Sequence, residues 1–238
     1  QLDPKSVIFY ASGKAALEPS YLYALFARAY GHNNLPDSSN MCHETTSVGL
    51  KKVIGSSVGT CQMDDFDHVD VIFYMGQNPG TNSPRILHTL QKAVQRGCKI
   101  IVFNPLKEKG LREFVNPQNP IQMTIGKPTR IDHMYCQVRP GGDGMLAIAI
   151  GKVIKDTDRV AGEFVDTKTE NYPQYCELLD SHSLEECSQA ADVPLETIRH
   201  LADLFTEQKP ANVLHGLGTS YWKLGGENWR LIDALAAI

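Results

Sequence analysis

The sharpest chemical feature of the sequence is the pair Cys42-His43. Cys42 stands where a helix is expected to begin. The positive end of a helix dipole favours a thiolate, the form of cysteine that binds metals and attacks electrophiles. His43 beside it can carry a proton near neutral pH. The same two residues also suit a plain structural role, a small buried side chain followed by a polar first-turn residue.

A second set of candidates lies in four glycine- or proline-bearing turns: Gly76-Gln77-Asn78-Pro79, Phe103-Asn104-Pro105, Arg139-Pro-Gly-Gly-Asp143 and His215-Gly216-Leu-Gly218-Thr219. Each follows an apolar run that reads as a strand. Each is expected to offer unpaired backbone N–H groups, which suit phosphate. The amide and carboxylate side chains beside them suit ribose hydroxyls and base edges. A glycine after a strand is commonly only a tight turn, but four such turns at one sheet edge favour a large, extended ligand.

The elements that must place these turns are legible from periodicity. Val69–Met75, Lys99–Phe103, Met134–Val138 and Ala211–His215 read as strands, as does Ser6–Ala11. Helical spacing appears over about 19–30, 43–54, 83–96 and 144–155, through 160–207 in short pieces, and from about Glu227 onward. Asn40 is the expected N-cap of the second of these helices. Gly55–Thr60 reads as a loop suited to close backbone approach. Strand, helix, strand over 69–103 with short connections means a right-handed parallel crossover. The expected fold is therefore α/β, a doubly wound and mostly parallel Rossmann-like sheet with helices on both faces. In such sheets ligands bind at the carboxyl edge. Residues 1–238 are expected to form one cofactor-binding segment of a larger enzyme. Within it, 1–40 is a candidate piece of a neighbouring α/β domain, 106–133 an insertion-like loop and 160–207 a helical excursion.

Composition narrows the classes. The 238 residues carry a net charge of -4, with 23 basic against 27 acidic residues, and so no broad basic footprint for nucleic acid. No apolar run reaches the ~20 residues of a membrane helix. The six cysteines are irregularly spaced, with no C-x-x-C, which argues against a zinc or iron–sulfur site within the chain. Scattered thiols suit a reducing, cytoplasmic setting. The chain opens without Met and stops inside an apolar helical pattern, so both ends read as cuts. Common cofactor fingerprints are missing. Tyr221 stands where the third glycine of a dinucleotide motif would follow Gly216 and Gly218, and neither a P-loop nor a G-x-S-x-G elbow occurs.

Taken in order, Asn40–Leu50, Gly55–Thr60, Gly76–Pro84, Val102–Pro105, Val138–Asp143 and Gly216–Asn228 resemble the molybdopterin oxidoreductase superfamily, most closely its formate dehydrogenase-like catalytic subunits. The resemblance implies two molybdopterin guanine dinucleotides around one molybdenum or tungsten. It implies Cys42 as the protein ligand to the metal and His43 as an aid to proton transfer. It also implies Gly76, Gln77, Asn78, Asn104, Asp143, Gly216 and Gly218 as the grip on guanosine and pyrophosphate. Two places depart from the family pattern. Asn104-Pro105-Leu106 replaces an acidic residue followed by Pro-Arg, and Pro140-Gly-Gly-Asp143 replaces Pro-Gly-Thr-Asp while keeping the aspartate. A 4Fe-4S cluster would be bound upstream of this chain, and the arginine that pairs with the Cys-His site would lie downstream of Ile238.

The implied function is two-electron redox chemistry on a small molecule, formate being the nearest substrate, with an electron-transfer partner of unspecified identity. No nucleic acid or membrane partner is expected, and the isolated segment is expected to be inactive. The alternatives are a non-catalytic nucleotide-binding or regulatory module and, less consistent with Tyr221, an NAD-dependent dehydrogenase.

Overall fold

The computed structural model describes residues 3–12, 15–36, 42–207, 210–220 and 225–238, apart from the side chain of Trp229. Four strands, β1 (Val71–Met75), β2 (Lys99–Phe103), β5 (Met134–Cys136) and β6 (Ala211–His215), form one parallel sheet in the order β5-β2-β1-β6. A two-residue antiparallel ladder joins β3 (Glu113–Phe114) to β4 (Thr129–Arg130). The helices are α1 (Leu17–Tyr30), α2 (Glu44–Val53), α3 (Pro79–Asn82), α4 (Ile86–Arg96), α5 (Pro120–Ile125), α6 (Asp143–Asp156), α7 (Gly162–Lys168), α8 (Tyr172–Asp180), α9 (Leu184–Ala191), α10 (Leu195–Glu207) and α11 (Gly225–Ala236).

The continuous apolarity of β1 and β2 follows from burial on both faces. Side chains alternate across the sheet. Val71, Phe73, Met75, Ile101 and Phe103 join a core with α6, α9, α10 and α11. Ile72, Tyr74, Ile100 and Val102 join a second core with α4, Phe66, Leu111 and Ile131. The α/β class, the parallel order and the expected strand over 99–103 and 211–215 agree with the sequence reading.

Two segments differ from expectation. Ser6–Ala11 forms no strand. A 3-10 turn spans Pro4–Ser6, and the extended residues beyond it find their partners locally. The Phe9 amide donates to Asn34 O, and the Asn34 side chain donates to Val7 O. The Phe9 ring packs edge-on against Tyr23, Phe26 and Tyr30. Of this apolar run Phe9 is buried against α1, while Ile8 and Tyr10 stay exposed. Second, 106–133 is more ordered than a loop. It holds a 3-10 turn at Lys109–Leu111, the β3–β4 ladder, and α5, capped by Asn119 Oδ1, which accepts from the Ile121 and Gln122 amides. The stretch 160–207 is helical in short pieces, as expected: four helices, with breaks at residues such as Asn171 and Asp192 that hold positive φ. No helix among the described residues is long and apolar enough to cross a membrane. The expected N-cap Asn40 lies outside the described residues.

Candidate functional site at the carboxyl edge of the sheet

All four turns singled out above leave the sheet at its carboxyl edge, because β1, β2, β5 and β6 are mutually parallel. Their order along that edge is the turn after β5, then Asn104, then Gly76, then Gly216.

The ladder continues beyond the strands and zips these turns together. The Gly76 amide donates to Phe103 O at 3.1 Å, the Asn104 amide to Cys136 O at 3.1 Å, and the Gly216 amide to Met75 O at 2.9 Å. The Gly218 amide donates to Gly76 O at 3.0 Å. The expectation that these N–H groups are unpaired is therefore corrected for these four residues. Their amides hold the edge in shape. Glycine is required here for contact as well as conformation. Gly76 has φ +60, and a Cβ on it would stand 2.8 Å from the Thr219 nitrogen. A Cβ on Gly218 would stand 2.7 Å from Gly76 O, and one on Gly216 would overlap the Gln77 side chain.

The side chains take different parts. Asn78 caps α3, its Oδ1 accepting from the Thr81 amide at 3.3 Å, and lies against Gly110 of the 109–111 turn. Gln77 is half-buried against Gly216. The Asn104 amide nitrogen is directed into its own loop, donating to Leu106 O at 2.6 Å, to Glu108 at 3.1 Å and to the Tyr135 hydroxyl at 3.4 Å. That arrangement leaves the Asn104 carbonyl oxygen as its group for a ligand. Glu108, Gly110 and Tyr135 belong to this edge but escaped the sequence reading. No turn or strand signal marks the first two, and Tyr135 acts from within β5.

Asp143 begins α6, where the first-turn amides have no helical partner. It is buried, and burial outweighs the hydrogen bond from its own backbone amide, raising its carboxyl from 3.8 to about 6. The folded state therefore holds a proton that the unfolded chain has lost between those values. Stability on this account is greatest below about pH 4 and falls as pH rises towards about 6, by about 3 kcal/mol in all. Urea unfolding across this range should show that slope in the parent and its loss in Asp143→Asn. Parallel pH curves for the two proteins would refute the assignment.

Cys42 and His43 sit just ahead of α2, with His43 as its N-cap residue. Cys42 is half-buried and His43 exposed. Helix α2 packs against α11, the helix that follows the β6 turn. The hydroxyls of Thr46 and Ser220 meet at 2.9 Å, and Gly226 lies opposite Thr45. The Cys42 helix is thereby fastened to the chain leaving β6, at the edge where the four turns gather. A cleft of about 360 Å³ runs between α2 and α11, lined by Glu44, Thr45, Lys52 and Arg230 among others. Another of about 330 Å³ lies at the far end of α6 from Asp143, around Asp156 and Arg159, and plays no part in this edge. None of the six cysteines is in a disulfide. Burial pushes the thiols of Cys98 and Cys136 up to about 11 and about 12 and raises those of Cys61 and Cys187, so these four are poor metal ligands. Among the described residues no three His, Cys, Asp or Glu side chains gather as a metal site.

The chain is thus a parallel α/β fold of the open-sheet class, in which ligand sites lie at the carboxyl edge of the strands. The sequence profile of the molybdopterin oxidoreductases matches residues 1–161, and the chain belongs to that family. Protein YdeP of Escherichia coli K12 is 37% identical over 236 residues, covering 95% of this chain and 31% of that protein. Formate dehydrogenase H of the same organism is 26% identical over 222 residues, covering 93% and 28%. The solved structure of acetylene hydratase from Pelobacter acetylenicus shares the fold, with a TM-score of 0.70, 22% identity, and coverage of 90% of this chain and 26% of that one. The chain thus spans about a third of the length of YdeP. Membership of the family implies a molybdenum–pterin cofactor.

Proposed function

We propose that this chain is the part of a formate dehydrogenase-like enzyme that grips two molybdopterin guanine dinucleotides and gives the metal its protein ligand. The observation that carries the reading is the gathering of four ligand-type turns and the Cys42 helix at one edge of the sheet. The residues fit such a group. Asp143 is a buried carboxyl at the start of a helix, suited to a hydroxyl or base edge. Gln77 and the Asn104 carbonyl offer further polar contacts, while Gly76, Gly216 and Gly218 let the turns after β1 and β6 pack directly on each other. Cys42 supplies one sulfur ligand, and the pterin dithiolenes would supply the rest.

When bound, the cofactor supplies two-electron redox chemistry. Cys42 holds the metal, and His43, exposed beside it, takes or releases the substrate proton. The substrate is a small molecule such as formate, and a 4Fe-4S cluster held by residues outside this chain would supply the route for electrons to a partner. Six cysteines without a disulfide suit a cytoplasmic enzyme.

Elemental analysis of the active full-length protein tests this. The expected result is about one molybdenum or tungsten per chain, with about two guanine nucleotides released per metal on denaturation. Activity without either metal would overturn the reading. Binding of GDP by a metal-free, inactive protein would point instead to a non-catalytic nucleotide-binding module.

A further inference from the structure

The loop that leaves β6 touches both halves of the candidate site. On one side, Gly218 donates to Gly76 O, and Thr219 packs so close to Gly76 that no Cβ fits between them. On the other side, the buried Ser220 hydroxyl meets Thr46 in the first turn of α2 at 2.9 Å. The loop itself is stiff. The Thr219 amide donates to Gly216 O and the Ser220 amide to Leu217 O, and the Thr219 hydroxyl returns to Gly216 O at 2.9 Å. Asn228 of α11 adds a bond to Thr219 O, and Gly225 packs directly on the Ser220 carbonyl, where a Cβ would overlap it. At the start of α2, the Ser47 amide bonds to His43 O, so Thr46 shares one helical turn with His43, the residue that follows Cys42.

We infer that Thr46 and Ser220 are positioning residues for Cys42: their hydrogen bond fixes the Cys42 turn to the loop that also braces the nucleotide turn at Gly76. The metal role of Cys42 rests on the function proposed above, but the mechanical linkage does not. A metal ligand must be held to within a fraction of an ångström to be effective, and α2 has no strand of its own to anchor it. The packing of α2 on α11, including the Gly226–Thr45 contact, holds the helix, and the hydroxyl pair adds an anchor from a loop already locked to the sheet.

The linkage is read directly at the thiol. Full-length protein produced in cells unable to make molybdopterin is treated with iodoacetamide, and alkylation at Cys42 is followed by peptide mass spectrometry, with Cys61 as the internal reference. Thr46→Val and Ser220→Ala each remove the same bond from opposite sides, so either one that retains its circular dichroism decides the matter. Loss of one partly buried hydrogen bond should raise local opening, and with it the Cys42 rate, about fivefold. Thr46→Ser keeps the hydroxyl and should stay near the parent rate, and Cys61 should not change. A Cys42 rate within about twofold of the parent in the folded variants would overturn the proposal. Absence of molybdenum and tungsten from the parent enzyme would remove the metal reading alone, since this measurement needs no metal.

Discussion

Cys42→Ala in the full-length protein should abolish turnover, to below about one-hundredth of the parent, while the protein still carries its nucleotide. The reason lies in how the two tasks are divided. The groups proposed to hold the nucleotide come from the turns after β1, β2, β5 and β6, where amides zip neighbouring turns and Asp143 is buried at the start of α6. Cys42 stands apart from these turns, ahead of α2, which meets the edge through its contacts with α11 and Ser220. Removing the sulfur therefore takes away the one metal ligand this chain is proposed to supply and leaves the grip intact. Activity with formate and an artificial electron acceptor, read beside guanine content, checks both parts. A variant that keeps more than about a tenth of the parent turnover would mean that Cys42 is not the ligand. A variant that loses its guanine nucleotide with its activity would mean that grip and ligand are not separable as argued.

How much of this was visible in the sequence depends on what kind of signal each residue leaves. Strand β2 is bounded where its apolar run ends, because a strand buried on both faces is apolar almost throughout, whereas β6 is a half-buried edge strand that stops where the Gly216-Leu-Gly218 turn begins. The parallel pairing of β1 with β2 was visible too, since strand, helix, strand with short connections over 69–103 means a right-handed parallel crossover. The position of Asp143 at a helix start was legible from the Pro-Gly-Gly before it. What could not be read is where donors are spent. Nothing in the residue string says that the Gly76, Asn104, Gly216 and Gly218 amides bond to neighbouring turns, because those partners are set by strand order across the sheet. The turned-in Asn104 side chain depends likewise on Glu108 and Tyr135, which arrive from a segment that reads as irregular. Two-residue strands such as β3 and β4 carry too little periodicity to register. The failed strand at Ser6–Ala11 shows the converse: of that apolar run the fold buries Phe9, against the aromatic face of α1, and leaves Ile8 and Tyr10 exposed.

Gly76→Ala should destabilise the protein by about 2–4 kcal/mol, far more than alanine at other glycines with the same backbone sign. Three positions separate the causes. Gly55 at φ +74 and Gly126 at φ +70 have nothing within 4 Å of an added Cβ, so alanine there meets only the left-handed backbone penalty, about 1 kcal/mol. Gly76 at φ +60 meets that penalty and a collision as well, with the Thr219 nitrogen at 2.8 Å and its Cγ2 at 2.9 Å. The nitrogen is backbone and cannot swing aside. Relief requires moving the 216–220 loop, which breaks the Gly218 bond to Gly76 O and pulls on Ser220 and, through it, on Thr46. Urea unfolding of the three variants gives the comparison. If Gly76→Ala costs no more than Gly126→Ala, the loop is free to yield and the edge is not the rigid brace that its hydrogen bonds describe. If it costs more, the excess measures how firmly the β6 loop is held, and the same substitution should raise the alkylation rate of Cys42, because one loop carries both contacts.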